Sequence, residues 1–123
     1  MSRFILENLI SKSPKVLFIN NKNNIIGNCT FSIINYKKAS INNLFIKEEF
    51  RKKDNGTKLL RYTEELVKTN YNIEETSLLA HEKPNDELKK FFEKNGYKIK
   101  DSNYKIYNDG SDIFNLIPMY KVL

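Results

Sequence analysis

The stretch 50-FRKKDNGTKLL-60 admits two readings, and the choice between them decides the fold. Asn55-Gly56 is a strong signal for a two-residue hairpin turn, because both central positions of a type I′ turn need positive φ and these residues tolerate it. The residues that follow argue otherwise. Leu59, Leu60, Thr63, Leu66 and Val67 recur with helical period, and Lys58, Arg61, Glu64 and Lys68 fall away from that face. A strand, a short basic loop containing glycine and then a helix is a different object from a hairpin. It leaves backbone N–H groups at a helix N-terminus, where the dipole favours an anion.

On either side the chain reads as strands and turns. Lys15–Asn20 (KVLFIN) and Ile25–Tyr36 (IIGNCTFSIINY) flank the polar 21-NKNN-24, a hairpin connection by composition. Lys37-Lys38 starts a second turn, and Ala39–Lys47 (ASINNLFIK) is the third strand, leading directly into the opening stretch. Upstream, Phe4, Ile5, Leu9 and Ile10 are spaced as in a short helix that Ser13-Pro14 ends. Downstream of the long helix come a fourth strand, Thr76–Glu82, and a second helix. Pro84 and Asn85 stand at that helix's start, Asp86 and Glu87 fill its first turn, Gly96 ends it, and Leu88, Phe91 and Phe92 make its buried face. The remaining residues read as two strands around Asp109-Gly110, with Pro118 marking a bulge or an edge position. The strands flanking the long helix form the one clear β-α-β unit, and hairpins elsewhere predict a mixed sheet.

A length of 123 residues is one domain's worth, and with no internal repeat or linker a single domain over residues 1–123 is expected. Hydrophobic residues at 40% and aromatics at 12% supply a core and exclude a disordered tail. The lone Cys29 excludes an intramolecular disulfide framework, and with one His there is no cluster with zinc spacing, so no metal is expected. No apolar run approaches the ~20 residues of a membrane span, which points to a cytoplasmic protein with no membrane partner. The formal charge of +6 suits a polyanionic partner: nucleic acid, an anionic membrane surface or a small phosphorylated cofactor. Most lysines are scattered singly, and the densest basic group is Arg51-Lys52-Lys53. Neither a long basic stripe nor an aromatic nucleic-acid motif is present.

Extended upstream, the opening stretch becomes 44-LFIKEEFRKKDNGTKLL-60 and resembles the signature of the GNAT superfamily of acetyl-coenzyme A-dependent N-acetyltransferases. That signature is a strand, Arg/Gln-x-x-Gly-x-Gly/Ala and a helix, typically written LYVHPEYRGKGIGSKLL. The two align without a gap, with Leu44, Arg51, Gly56, Leu59 and Leu60 in place. A second segment, 85-NDELKKFFEKNGY-97, is similar to the family's NEAAIRLYEKLGF at Asn85, Glu93, Lys94 and Gly96, and the closing MYKVL looks like its terminal strand.

The resemblance implies an α/β fold (α+β in some schemes), a mixed, mostly antiparallel twisted sheet with helices on both faces. Family members usually begin with a strand and two helices that wall the acceptor site, whereas only residues 1–14 precede Lys15 here. A reduced N-terminal region is therefore expected, leaving the acceptor side open unless another subunit of a homodimer covers it. The implied activity is direct transfer of an acetyl group from acetyl-CoA to a primary amine of a small molecule or peptide. Leu44, Phe45 and Ile46 would pair with the pantetheine arm as if it were an added strand. Arg51, Lys52, Lys53, Asp54, Asn55, Gly56 and Thr57 would surround the pyrophosphate, with Lys58 adding charge and Asn85 and Phe92 contributing from the second segment. The lysines are equally readable as solvated surface charge.

Three positions depart from the family. Asp54 stands where the loop has its first glycine; Asp tolerates unusual φ and is a good helix N-cap, but its carboxylate repels a pyrophosphate or takes up the same N–H groups. Phe92 replaces a tyrosine that often protonates the departing thiolate, and Ser40 replaces a glutamate base found in some members. His81 and Glu82, at the end of the fourth strand where this fold opens toward the cofactor's reactive end, are the candidate bases; the plainer reading is an ordinary strand residue and a solvent-facing carboxylate. These departures also support an alternative, a catalytically inactive GNAT-fold protein acting as a CoA-binding or protein-interaction module. A basic nucleic-acid-binding domain is allowed by the charge and supported by no motif.

Overall fold

Arg3–Glu7 form a strand, β1, where the apolar spacing predicts a helix. The computed structural model describes residues 2–7, 13–81, 87–100, 105–108 and 113–123; Glu82, Pro84, Asn85, Asp86, Tyr104 and Asp109-Gly110 lie outside them. Five residues satisfy either period, and RFILE also alternates: Arg3, Ile5 and Glu7 are exposed, Phe4 and Leu6 half-buried. Tertiary contacts decide for the strand. β1 pairs antiparallel with β2 (Lys15–Ile19), setting Phe4 opposite Phe18, and the Phe4 ring stacks on Tyr62 at 4.2 Å.

β2, β3 (Ile25–Ile33) and β4 (Lys38–Ile46) form an antiparallel meander. Its turns work through asparagine side chains that imitate a backbone acceptor. Asn20 Oδ1 accepts the N–H groups of Lys22 and Asn24 at 2.9 and 3.0 Å, and Asn35 Oδ1 accepts those of Lys37 and Lys38 at 2.8 and 2.9 Å. In β4, Asn43 pairs with Thr30 but Ile41 pairs with Phe31, so Asn42 is an extra, bulged residue. Ile41, Leu44 and Ile46 consequently share a face with Phe31, Cys29 and Gly27. The other face of β3 and β4 is polar: Asn42 Nδ2 donates to Ser32 Oγ at 2.6 Å, and Asn43 Nδ2 to Asn28 Oδ1 at 3.3 Å.

The apolar face is covered by helix α1 (Asn55–Tyr71), whose Leu59, Leu60, Thr63 and Val67 are buried as their period predicts. Glu64 departs from expectation. Its spacing puts it on the solvent side, yet it is buried, 5% exposed, because a helix lying on a broad sheet buries a stripe wider than one row of side chains. Phe31 meets Tyr71 edge-on at 5.8 Å, and full burial of each large apolar side chain in this layer contributes about 2 kcal/mol. Asn72, with φ 57°, ends the helix in the left-handed conformation. β5 (Glu75–His81) then starts beside β4: the Glu74 and Glu75 N–H groups donate to the Lys37 carbonyl at 2.8 and 3.1 Å. Only residues 8–14 separate β1 from β2, too few for the two helices that the resemblance would place there.

The chain divides into two compact units, residues 1–76 with Leu123 and residues 77–122. In the second, α2 (Glu87–Lys94) buries Phe92, whose ring stands edge-on to that of Tyr97 at 5.6 Å. Leu88, expected in the buried face, is 40% exposed, since it sits in the first turn of a helix that packs by its last. Gly96, with φ 94°, ends α2 as expected, and the following Tyr97 N–H donates to the Phe92 carbonyl at 2.9 Å. β6 (Lys98–Ile99), too short to leave a period in the sequence, and β7 (Lys105–Asn108) pair antiparallel with successive parts of β8 (Ile113–Val122). Pro118 falls between the two pairings, where no ladder N–H is needed, and its carbonyl accepts the Lys100 N–H at 2.8 Å. The architecture is thus a mixed α/β fold with a mostly antiparallel sheet. Among the described residues no helix is long and apolar enough to cross a membrane.

Candidate functional site

Torsion angles settle the hairpin question. Asn55 and Gly56 open α1, and the positive φ values fall just before them, 62° at Lys52 and 60° at Asp54. Lysine gives no sequence signal for such a conformation, which is why Lys52 escapes notice. Asp54 keeps the left-handed backbone expected of it, with ψ 15°, but its side chain makes no capping hydrogen bond. The first intrahelical bond runs from the Lys58 N–H to the Asp54 carbonyl at 3.0 Å. The N–H groups of Asn55 and Gly56 therefore precede the helical ladder and are not taken up by the Asp54 carboxylate, an arrangement that fits an anion. Lys52, Lys53 and Lys58 are exposed around them and Thr57 is half-buried.

Two side chains brace this loop, one against the turn before it and one against the end of β4. Asn55 Nδ2 donates to the Phe50 carbonyl at 2.9 Å, and Arg51 Nε donates to the Ile46 carbonyl at 2.7 Å while its guanidinium lies 5.5 Å from the Phe45 ring centre. Arg51 is thus a strut holding the loop to the strand. The Lys47 N–H donates to the Ile26 carbonyl at 2.9 Å, so strand alternation turns the backbone groups of Ile46 and Leu44 to the edge away from β3 and those of Phe45 toward it. The exposed Phe45 ring borders a surface cavity of about 530 Å³ that Lys47, Glu48 and Glu49 also line. Behind it, Gly27 lies against the Phe45 carbonyl so closely that an added Cβ would stand 2.5 Å from the oxygen.

The first unit thus brings together Leu44–Ile46 and Arg51–Lys58. Ser40, also in β4, donates its hydroxyl proton to Asn42 Oδ1 at 2.7 Å. His81 is the last residue of β5 and Phe92 lies in the second unit, while Glu82 and Asn85 are outside the described residues. Sequence reasoning missed Gly27, Asn42 and the torsion of Lys52. A glycine inside a strand and an Asn-Asn pair interrupting an apolar alternation were the available signals for the first two.

A family model described as an acetyltransferase (GNAT) domain matches residues 12–99. A search of curated proteins gave no match. Among solved structures, the chain resembles a GNAT family acetyltransferase from Elizabethkingia anophelis with acetyl-CoA bound, at 18% identity and TM-score 0.76, covering 93% of this chain and 78% of that one. It also resembles the PaiA N-acetyltransferase from Thermoplasma acidophilum in complex with coenzyme A, at 28% identity and TM-score 0.70, covering 89% of this chain and 60% of that one. A third is the spermidine N-acetyltransferase from Vibrio cholerae in complex with CoA and spermine, at 16% identity and TM-score 0.80, with coverage of 93% and 68%. The family match runs from the start of the meander through the loop, α1 and α2, and on that ground this chain belongs to the GNAT acetyltransferase family.

Proposed function

We propose that the chain is a cytoplasmic acetyl-CoA-dependent N-acetyltransferase acting on a primary amine of a small molecule or peptide, with residues 1–123 working as one domain. The observation that carries this reading is the loop at residues 51–54, which delivers the Asn55 and Gly56 N–H groups, clear of the Asp54 side chain, to the end of β4. Solved relatives hold CoA or acetyl-CoA, and one holds spermine, an amine. Asn55, Gly56 and Thr57 would bind the pyrophosphate through backbone N–H groups, with Lys52, Lys53 and Lys58 supplying charge. Leu44 and Ile46 would hold the pantetheine arm on the strand edge facing away from β3.

The cofactor supplies an acetyl group activated as a thioester. As the amine nitrogen forms the new C–N bond the C–S bond breaks, the sulfur leaving with the electron pair and the nitrogen losing a proton. His81 and Glu82 are the candidates to take that proton. Ser40, whose proton is already given to Asn42, and the hydroxyl-free Phe92 favour a second reading, a CoA-binding module without turnover.

Thermal unfolding with titrated acetyl-CoA tests the reading. At 100 times its dissociation constant the ligand should add about 2.7 kcal/mol of stability, seen as a saturable rise in Tm. No rise would overturn it, and a rise without CoA release in the presence of amines would leave the binding module. Asp54→Gly should tighten CoA about fivefold at low salt, with the gain shrinking as salt rises, because it removes one exposed like charge. Isothermal titration showing equal affinities would refute the repulsion.

A further inference from the structure

β1 is the outer strand of the first unit's meander, and among the described residues no strand pairs with its other edge. Such an edge is a template for another strand, and proteins usually blunt it with a central charge, a proline or a bulge. β1 does the reverse: Arg3 and Glu7 stand at its two ends, and its centre is Phe4-Ile5-Leu6.

The segment is complementary to itself. When a second RFILE is laid antiparallel across this edge with a two-fold axis through Ile5, Arg3 faces the partner's Glu7, Phe4 faces the partner's Leu6, and the two Ile5 side chains meet. Arg3, Ile5 and Glu7 are all on the exposed side of the strand, so both charge pairs and the central apolar pair form on one face. Within its own chain Glu7 already stands opposite Lys15, so the partner's Arg3 would place it between two cations, while Arg3 stands opposite the uncharged Ile19. A parallel, in-register alignment sets Arg3 against Arg3 and Glu7 against Glu7, which repel.

We propose that the chain forms a two-fold homodimer by antiparallel pairing of β1 with β1 of a second copy, extending the sheet across both subunits. Five residues a side bury less surface than the roughly 1,000 Å² of a stable interface, so the association is concentration-dependent.

Sedimentation velocity of the full chain over a concentration series is the test. The native protein should dimerise reversibly, and Arg3→Glu and Glu7→Arg should each raise the dimer dissociation constant about tenfold or more; Arg3→Glu faces the uncharged Ile19 in its own chain and should leave the monomer's Tm unchanged, whereas Glu7→Arg faces Lys15 and should lower it slightly. Mixed one to one, the two variants should associate again, because a strand with two acidic ends meets one with two basic ends. A native chain that stays monomeric throughout, a dimer that neither substitution weakens, or variants that do not recover on mixing would overturn the proposal.

Discussion

Gly27→Ala is expected to lower stability by about 3 kcal/mol and Tm by on the order of 10 °C. A Cβ at this position would lie 2.5 Å from both the Phe45 carbonyl oxygen and Ile46 Cδ1, and 3.3 Å from Ile46 Cα. The Ile46 methyl can rotate away. The Phe45 carbonyl cannot, since it is backbone facing β3, so the end of β4 must move. Because Arg51 holds the loop to the Ile46 carbonyl, the displacement reaches the proposed pyrophosphate donors, and CoA affinity should fall along with stability. Calorimetry and CoA titration on the same variant check both parts. A Tm within ~2 °C of native would show that the end of β4 yields freely.

The second large effect concerns Cys29. Its thiol is pushed up from 9.0 to about 12, chiefly by burial; a hydrogen bond with Thr63 opposes the shift and the nearby Glu64 reinforces it. At pH 9 about half the thiols of an unfolded chain are thiolate, against roughly one in a thousand in the folded protein, so a thiol reagent should react with the native chain about 500-fold more slowly. Stability changes in the same window. Above pH 9 the unfolded thiol releases a proton that the folded one retains, so stability should fall by up to ~1.4 kcal/mol per pH unit until about pH 12, with no contribution below pH 9. Urea unfolding of the native chain and of Cys29→Ala between pH 8 and 10 isolates this slope as the difference between them. Rapid native modification at pH 9 would contradict the buried placement. If it is silent as expected, any CoA release can be followed with thiol reagents without interference from the protein's own thiol.

These effects arise from contacts that a sequence shows only in part. α1 was legible because Leu59, Leu60, Thr63 and Val67 repeat over many turns, whereas the five residues of β1 fit helix and strand equally until Phe18 and Tyr62 are in place. Gly96 was read correctly as a helix end because its φ of 94° is one that glycine alone takes readily. The burial of Glu64 depends on how wide a sheet the helix lies on, which no local pattern records. At the candidate site the motif identified Arg51 as a residue type, but its bond to the Ile46 carbonyl requires a strand end folded back beside the loop. The left-handed turn at Lys52 is imposed by its neighbours on a residue with no preference for it.

The bulge at Asn42 bears on how such a strand changes over evolution. Because the extra residue sits between Ile41 and Asn43, losing its codon would leave Ala39, Ile41, Leu44 and Ile46 still facing the core, now in strict alternation. An insertion or deletion at this point in β4 alters the strand's path without turning its buried side chains to solvent. Most single-residue length changes in a strand invert the faces of everything beyond them. Here the direction in which the strand delivers the loop can drift by one residue while the hydrophobic layer beneath α1 is inherited intact.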